Sequence, residues 1–199
     1  MKIIALTGGL ASGKSTATQF LLDKGANIVD ADKLGHRVYD TGTQAYRKVI
    51  ETFGDDVVGD DNHIDRKVLG QKVFADPAEL KKLTDIVWPE IRLMAELEIA
   101  ALDAIDPDNV CVLEAAVLFE AGWDDIADEV WAIVVDTGKA IERAMARDNS
   151  TREAVESRLA SQLSNEERSS RADVIIENDG SPDELIQRLE KEWTRVKNG

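Results

Sequence analysis

Residues 8–15 combine glycine, lysine and serine at the spacing of a phosphate-binding loop. Their sequence, Gly8-Gly9-Leu10-Ala11-Ser12-Gly13-Lys14-Ser15, fits G-x-x-x-x-G-K-[ST] throughout. Glycines permit positive φ and let backbone N–H groups curl around phosphate oxygens, and a helix beginning near Lys14 would point its positive dipole end at them. The Lys14 ammonium can reach the β- and γ-phosphates of a nucleotide, and the Ser15 hydroxyl can ligate Mg²⁺. We therefore predict a nucleotide site formed by Gly9, Ala11, Ser12, Gly13, Lys14, Ser15 and Thr16.

This loop alone does not choose between a kinase, a GTPase and a motor or transport ATPase. The N-K-x-D motif with which GTPases read guanine is absent from the sequence. Residues 56–59 match D-x-x-G, but no strand pattern precedes them, so chance explains the match better. The chain carries no transporter-type ATPase signature and is small, so a small-molecule kinase fits best.

Two aspartates, Asp30 and Asp32, occur in the stretch "VDAD" at the end of a predicted strand. Ligands bind at this edge of open parallel sheets, and a carboxylate there can accept the proton of a substrate hydroxyl. Aspartate is also a favoured helix cap, so a purely structural role is the alternative for each of them.

Basic residues are concentrated between Lys139 and Ala172, which is unusual in so acidic a chain. Arg143 and Arg147 are four residues apart, so one helical face presents both. A solvated helix pair with interspersed glutamates is the alternative, and we prefer it for Arg168 and Arg171. The basic residues of this segment are Lys139, Arg143, Arg147, Arg152, Arg158, Arg168 and Arg171.

Hydrophobic patterning predicts strands that alternate with helices. Strands are expected at 3–7, around 26–29, and within 109–119, 129–135 and 172–178, with a first helix over 14–23. A long helix is expected after Pro89, with Ile91, Met94, Leu97, Ala101 and Ile105 on one face. The pattern indicates an α/β fold with a mainly parallel sheet. The long interval between the second and third strands predicts a mostly helical insertion near residues 31–108.

Composition narrows the choice of partner and compartment. The 199 residues include 39 acidic and 24 basic side chains, and the net charge of −15 argues against nucleic acid and anionic membranes as partners. The single cysteine, Cys111, lies in an apolar run and cannot form an internal disulfide, so we expect a buried thiol and the reducing cytoplasm. No apolar segment is long enough to span a membrane.

Several motifs in one order resemble the dephospho-coenzyme A kinase family over nearly the whole chain. They are "LTGGLASGKST", "IVDADKLGHRVY", "IDRKVLGQKVF", "LTDIVWPEI", "VLEAAVLFEAGW" and "ADVIIENDGSPDEL", and some also resemble the kinase domain of the animal bifunctional coenzyme A synthase. The resemblance implies transfer of a phosphoryl group from ATP to the ribose 3′-hydroxyl of dephospho-CoA. Another small-metabolite kinase, or a regulatory module that has lost catalysis, is the alternative, and the intact Lys14, Ser15 and Asp32 argue against the module.

The resemblance also implies an architecture. The implied architecture is that of a P-loop kinase similar to nucleoside monophosphate kinases, with a five-stranded parallel sheet, a helical acceptor domain and a helical lid. A single kinase domain would comprise a core of about residues 1–30, 109–138 and 172–199, the acceptor-binding insertion at about 31–108, and a lid at about 139–171. A monomer is favoured.

The family's functional positions map onto particular residues of this sequence. The resemblance makes Asp32 the general base and places Arg37 and Arg66 on the acceptor side, where guanidinium groups suit a pyrophosphate. Trp88 stands where most bacterial members have histidine, and it would either pack in the core or flank the acceptor.

Other matching positions concern the nucleotide and its metal. Glu114 would hold a magnesium-bound water or merely pair with Lys14. Arg147, together with Arg143, would act from the lid as it closes over ATP. Asn178 and Gly180 resemble the loop that cups adenine, mostly through backbone groups.

Overall fold

The computed structural model describes residues 1–198, and a five-stranded sheet forms its centre. The strands are β1 (Lys2–Gly8), β2 (Asn27–Asp30), β3 (Val110–Glu114), β4 (Glu129–Val134) and β5 (Val174–Glu177), in the spatial order β2-β3-β1-β4-β5. β1 runs parallel to both β3 and β4, and β4 runs parallel to β5. Leu6 pairs with Glu114 and Gly8 with Ile133, so the phosphate loop leaves the sheet at the carboxyl edge. The predicted α/β class with a parallel sheet is confirmed.

Nine α-helices lie within residues 1–198. They are α1 (Lys14–Asp23), α2 (Ala31–Arg37), α3 (Gln44–Phe53), α4 (Arg66–Val73), α5 (Pro77–Ile105), α6 (Thr137–Asp148), α7 (Arg152–Ala160), α8 (Asn165–Arg171) and α9 (Pro182–Asn198). Side chains cap several of them, as Asp65 does for α4 and Ser164 for α8, where Glu167 completes a capping box.

The chain forms two compact units. One comprises Met1–Val29 and the chain from Ile99 to the end of the described residues, and the other comprises Asp30–Glu98. In the first unit, Ile4 and Trp131 of the sheet pack with Leu21 of α1 and Leu189 of α9 in one apolar cluster. Every residue of β3 is buried, which is why its sequence reads as a continuous apolar run rather than an alternating one.

The helix expected after Pro89 differs from the observed one. α5 begins at Pro77 and continues through Pro89, although an internal proline removes a backbone hydrogen bond. Its buried positions recur every fourth residue, at Leu83, Val87, Ile91, Ala95 and Ile99. The expected apolar face was therefore wrong in part, since Leu97 and Ile105 are exposed. Burial on both sides of the proline offsets the lost hydrogen bond.

Within the described residues, no helix combines the length and the apolar character that crossing a bilayer requires.

Candidate active site

The loop between β1 and α1 forms one wall of a cavity of about 470 Å³. Ala11 and Gly13 both have positive φ, 56° and 99°, and the Ser12 N–H donates to the Gly9 carbonyl at 3.1 Å. Gly13 is the N-cap residue of α1, and no side chain caps the helix there. The N-terminal turn of α1 therefore faces the cavity. Residues 8–16 line the cavity, so all the loop positions predicted to bind nucleotide lie together. An N-terminal helical turn of this kind attracts anions.

Asn178 holds this loop in place. Its side-chain Nδ2 donates to the Ser12 carbonyl at 2.7 Å, and the residue is buried. A β-carbon on Gly13 would lie 2.3 Å from the same nitrogen, so glycine is required here for space as well as for φ. The Asn178 carbonyl accepts a hydrogen bond from Arg143 Nη2 at 3.0 Å. The Asn178 side chain therefore supports the loop directly.

Gly180 lies two residues further along, in the exposed turn before α9. A β-carbon there would lie 1.7 Å from Glu184 Oε2, in the first turn of that helix. The neighbouring Asp179 accepts a hydrogen bond from the Asp136 N–H at 2.7 Å, which ties the turn to the start of α6.

Lys14 and Glu114 form an ion pair beneath the loop. Lys14 Nζ lies 2.5 Å from Glu114 Oε1, and both side chains are largely buried. The Thr18 hydroxyl donates to the other carboxylate oxygen at 2.7 Å. Of the two roles considered for Glu114, the pairing with Lys14 is present in the structure. Sequence reasoning missed Thr18, although its place one helical turn after Lys14 puts both on one face of α1.

Three arginines of the predicted lid, Arg143, Arg147 and Arg158, line the same cavity. Arg147 Nε and Arg158 Nη1 donate to the Asp148 carboxylate at 2.7 and 2.8 Å. These two guanidinium groups hold the pKa of Asp148 far below its usual range, and the hydrogen bond to Asp148 raises the pKa of Arg147. The cavity thus carries positive charge in an acidic chain, which suits a polyanionic ligand. Arg158 was not among the predicted site residues.

Arg168 contradicts the expectation of a solvated helix. Only 2% of it is exposed, and its Nη1 donates to the Leu163 carbonyl at 2.5 Å. Burial lowers the pKa of its guanidinium, and the charges of Glu120 and Glu167 oppose that shift. Its neighbour Arg171 is exposed as expected and pairs with Asp124. Basic spacing alone cannot tell these two residues apart.

In the second unit, the two aspartates have different roles in helix α2. Asp30 is the N-cap residue, and its Oδ1 accepts from the Lys33 N–H at 3.0 Å. The structural alternative therefore holds for Asp30. Asp32 was expected at the end of the strand but lies in the first turn of α2, where it is exposed.

The predicted acceptor-side residues also lie in this unit. Arg66 Nη1 lies 2.8 Å from His36 Nδ1, and its charge opposes the burial that raises the pKa of Tyr39. Arg37 pairs with Glu98 across an exposed surface. Trp88 is half-buried on α5. Sequence reasoning missed the proximity of His36 and Tyr39 to Arg66, because Arg66 of α4 approaches α2 and the turn after it only in the folded chain.

Few residues were predicted to bind a metal ion. Among residues 1–198, no cluster of three or more histidine, cysteine, aspartate or glutamate side chains could hold an ion. Mg²⁺ bound with a nucleotide usually takes one or two protein ligands and completes its shell with phosphate oxygens and water. The exposed Ser15 hydroxyl at the cavity and the Glu114 carboxylate below it fit that mode of binding.

Comparison with known proteins identifies the family. The model of the dephospho-CoA kinase family matches residues 2–184. A dephospho-CoA kinase of Geobacter sulfurreducens is 44% identical over 195 residues, covering 98% of each chain, and one of Symbiobacterium thermophilum is 38% identical over all 199 residues and 83% of its own length.

Solved structures agree with these sequence relationships. The dephospho-CoA kinase of Campylobacter jejuni superposes with a TM-score of 0.76 at 29% identity, over 100% of this chain and 99% of that one. A shikimate kinase of Acinetobacter baumannii, 16% identical with a TM-score of 0.54 over 99% of this chain and 95% of its own, shares the fold alone. This chain belongs to the dephospho-CoA kinase family.

Proposed function

We propose that this protein transfers the γ-phosphoryl group of ATP to the ribose 3′-hydroxyl of dephospho-CoA, which yields coenzyme A and ADP. Membership of the family over residues 2–184 supports both the reaction and the acceptor. The structural observation that carries the proposal is the cavity in which the phosphate loop faces three arginines. Its volume of about 470 Å³ is that of a small-ligand site.

The phosphate loop would bind the triphosphate through its backbone N–H groups. Lys14 would exchange its ion pair with Glu114 for the β- and γ-phosphates, since a lysine side chain is flexible and carries a compact charge. Arg143 and Arg147 would neutralise charge that develops on the transferred group, the usual source of catalysis in phosphoryl transfer. Their segment, residues 139–171, would act as the lid and exclude water.

Mg²⁺ would be held by Ser15, with Glu114 as a carboxylate that orients its water. The ion would neutralise negative charge on the phosphates of the bound nucleotide. Asn178 would keep the loop in its binding conformation, and the backbone near Gly180 would contact adenine.

The unit Asp30–Glu98 would bind the acceptor. Asp32 would accept the proton of the 3′-hydroxyl as general base, and its exposed position in the first turn of α2 leaves it accessible to a substrate. Arg66, supported by His36, and Arg37 would bind the pyrophosphate of dephospho-CoA, and Trp88 would flank it. We further propose that the enzyme acts as a monomer in the cytoplasm.

The choice of base is tested by a matched pair of variants. Asp32→Asn removes the charge and the proton acceptor, so kcat should fall by about 10²- to 10⁴-fold. Asp30→Asn is the control, because asparagine caps a helix as well as aspartate does and both fold and turnover should persist. Steady-state kinetics with ATP and dephospho-CoA measure both. A fall in kcat of less than tenfold for Asp32→Asn, or a larger fall for Asp30→Asn, would show that Asp32 is not the general base.

The acceptor is tested by competing substrates. Turnover with dephospho-CoA should greatly exceed turnover with AMP, adenosine or shikimate under the same ATP concentration. Comparable rates for these acceptors would remove the proposed specificity and leave only a kinase with this fold.

A further inference from the structure

The buried arginine Arg168 is unusual within its short helix. It is 2% exposed, whereas the side chain of Arg171 on the same helix is 42% exposed and its guanidinium lies 4.3 Å from the Phe119 ring centre. Removing a guanidinium from water is costly unless other groups compensate it. Its nearest carboxylate is Glu120, with Oε1 3.8 Å from Arg168 Nη2. Such a residue needs a reason to be there.

Arg168 and Glu120 together hold both backbone groups of one residue, Leu163. Arg168 Nη1 donates to the Leu163 carbonyl at 2.5 Å, and the Leu163 N–H donates to Glu120 Oε1 at 3.4 Å. Leu163 lies in the connection between α7 and α8. A connection of this kind is flexible unless its backbone is bonded, so the ion pair fixes its path.

The residue before Leu163 touches the phosphate loop. Gln162 Oε1 accepts a hydrogen bond from the Leu10 N–H at 3.0 Å. A β-carbon on Gly9 would lie 3.2 Å from Arg168 Nη1, so the guanidinium also packs against the backbone of the loop. The contacts therefore run without interruption from Glu120, through Arg168 and the 162–163 backbone, to Leu10.

The Leu10 contact matters because the following residue is strained. Ala11 has φ 56°, a left-handed conformation that is unfavourable for a residue with a β-carbon. A bonded Leu10 restrains the loop on the amino-terminal side of Ala11, and the Asn178 contact with Ser12 restrains it on the other. A loop that is already in its binding conformation loses less entropy when a ligand arrives.

We propose that Arg168, held against Glu120, is a positioning residue for ATP binding, which fixes Gln162 on Leu10 and thereby preorganises the phosphate loop. The inference rests on the proposed ATP site. It assigns Arg168 an effect on nucleotide affinity and none on the acceptor.

The test is an ATP-binding and kinetic comparison of Arg168→Met with the wild type. Methionine keeps an unbranched side chain of similar length and removes the donors. The dissociation constant and KM for ATP should rise about three- to tenfold, the effect of one lost hydrogen bond, while kcat and the KM for dephospho-CoA change less than twofold. Arg168→Lys, which keeps the charge and a donor, should recover part of the affinity. Arg171→Met is the matched control and should leave ATP affinity unchanged.

A double-mutant cycle distinguishes positioning from general support of the fold. If Arg168 acts through Gln162, Gln162→Ala should weaken ATP binding similarly, and the double variant should be no weaker than either single one. Additive losses would overturn the proposal, as would a fall in kcat with an unchanged KM for ATP.

Two further outcomes are decisive. Should Arg168→Met fail to fold, Gln162→Ala, a change at a half-buried surface position, carries the test, and unchanged ATP affinity in that variant refutes the inference. ATP binding is measured without acceptor, so a wild-type protein that does not bind ATP would refute the proposed function itself.

Discussion

Replacing Gly13 with alanine should destabilise the protein for two separable reasons. The backbone there has φ 99°, and a residue with a β-carbon loses about 1–2 kcal/mol in a left-handed conformation. The new β-carbon would also lie 2.3 Å from Asn178 Nδ2. Asn178 can avoid it only by rotating away from the Ser12 carbonyl, and a buried carbonyl left unpaired costs about 1–3 kcal/mol. The free energy of unfolding should therefore fall by about 2–5 kcal/mol.

Gly25→Ala provides a matched control for the backbone contribution. Gly25 has φ 90°, and a β-carbon there would meet no atom within 4 Å. Its variant should lose only the conformational part, about 1–2 kcal/mol. The difference between the two variants isolates the contact with Asn178, and urea denaturation of the nucleotide-free proteins measures it.

A second substitution tests whether Asn178 is the cause. In the Gly13→Ala background, Asn178→Ala removes the atom that the new methyl group meets, so the double variant should lose less than the sum of the two single variants. Strict additivity, or a Gly13→Ala loss no larger than that of Gly25→Ala, would refute the reasoning. ATP affinity should fall in the Gly13→Ala variant and remain near the wild-type value in Gly25→Ala.

Three further predictions concern other buried groups. Lys14→Met should lower kcat at least about 10²-fold in a turnover assay. It should also lower the melting temperature, because Glu114 loses its ammonium partner. The double variant Lys14→Met/Glu114→Gln should recover the melting temperature but not kcat. Burial raises the pKa of Glu129, but hydrogen bonds from Arg195 and other donors outweigh it and hold that pKa below its usual range. The ionised carboxylate therefore stabilises the fold above about pH 4.3, and this contribution is lost as the pH falls further. Glu129→Gln should make the free energy of unfolding less dependent on pH in that acidic range, and an unchanged pH dependence would contradict this. Burial raises the pKa of the Cys111 thiol to about 11, so a thiol reagent at pH 8 should react slowly with native protein and quickly in urea, and equal rates would show that the thiol is accessible.

Local sequence was sufficient for the elements that build the phosphate loop. The run before Gly8, the glycine spacing and the apolar stripe of Lys14–Asp23 predicted a strand, a turn and a helix, and all three are present. Each depends on neighbours a few residues away, because strand periodicity, helix periodicity and the positive φ of Gly13 are local properties. The strand segments were found for the same reason, although β3 ends at Glu114, earlier than its apolar run suggested.

Tertiary structure decided which polar residues support that loop. Asn178, Gln162 and Arg168 reach it from distant parts of the chain, and no local pattern distinguishes Arg168 from the exposed Arg171. Their environment is set by the packing of α8 against the sheet and by Glu120, so burial and partners exist only once the chain is folded. The continuation of α5 through Pro89 has the same origin, since the sequence shows the lost hydrogen bond but not the burial that offsets it. The local structure of the phosphate loop could thus be predicted from the sequence, whereas the contacts that stabilise the loop depend on side chains brought together by the fold.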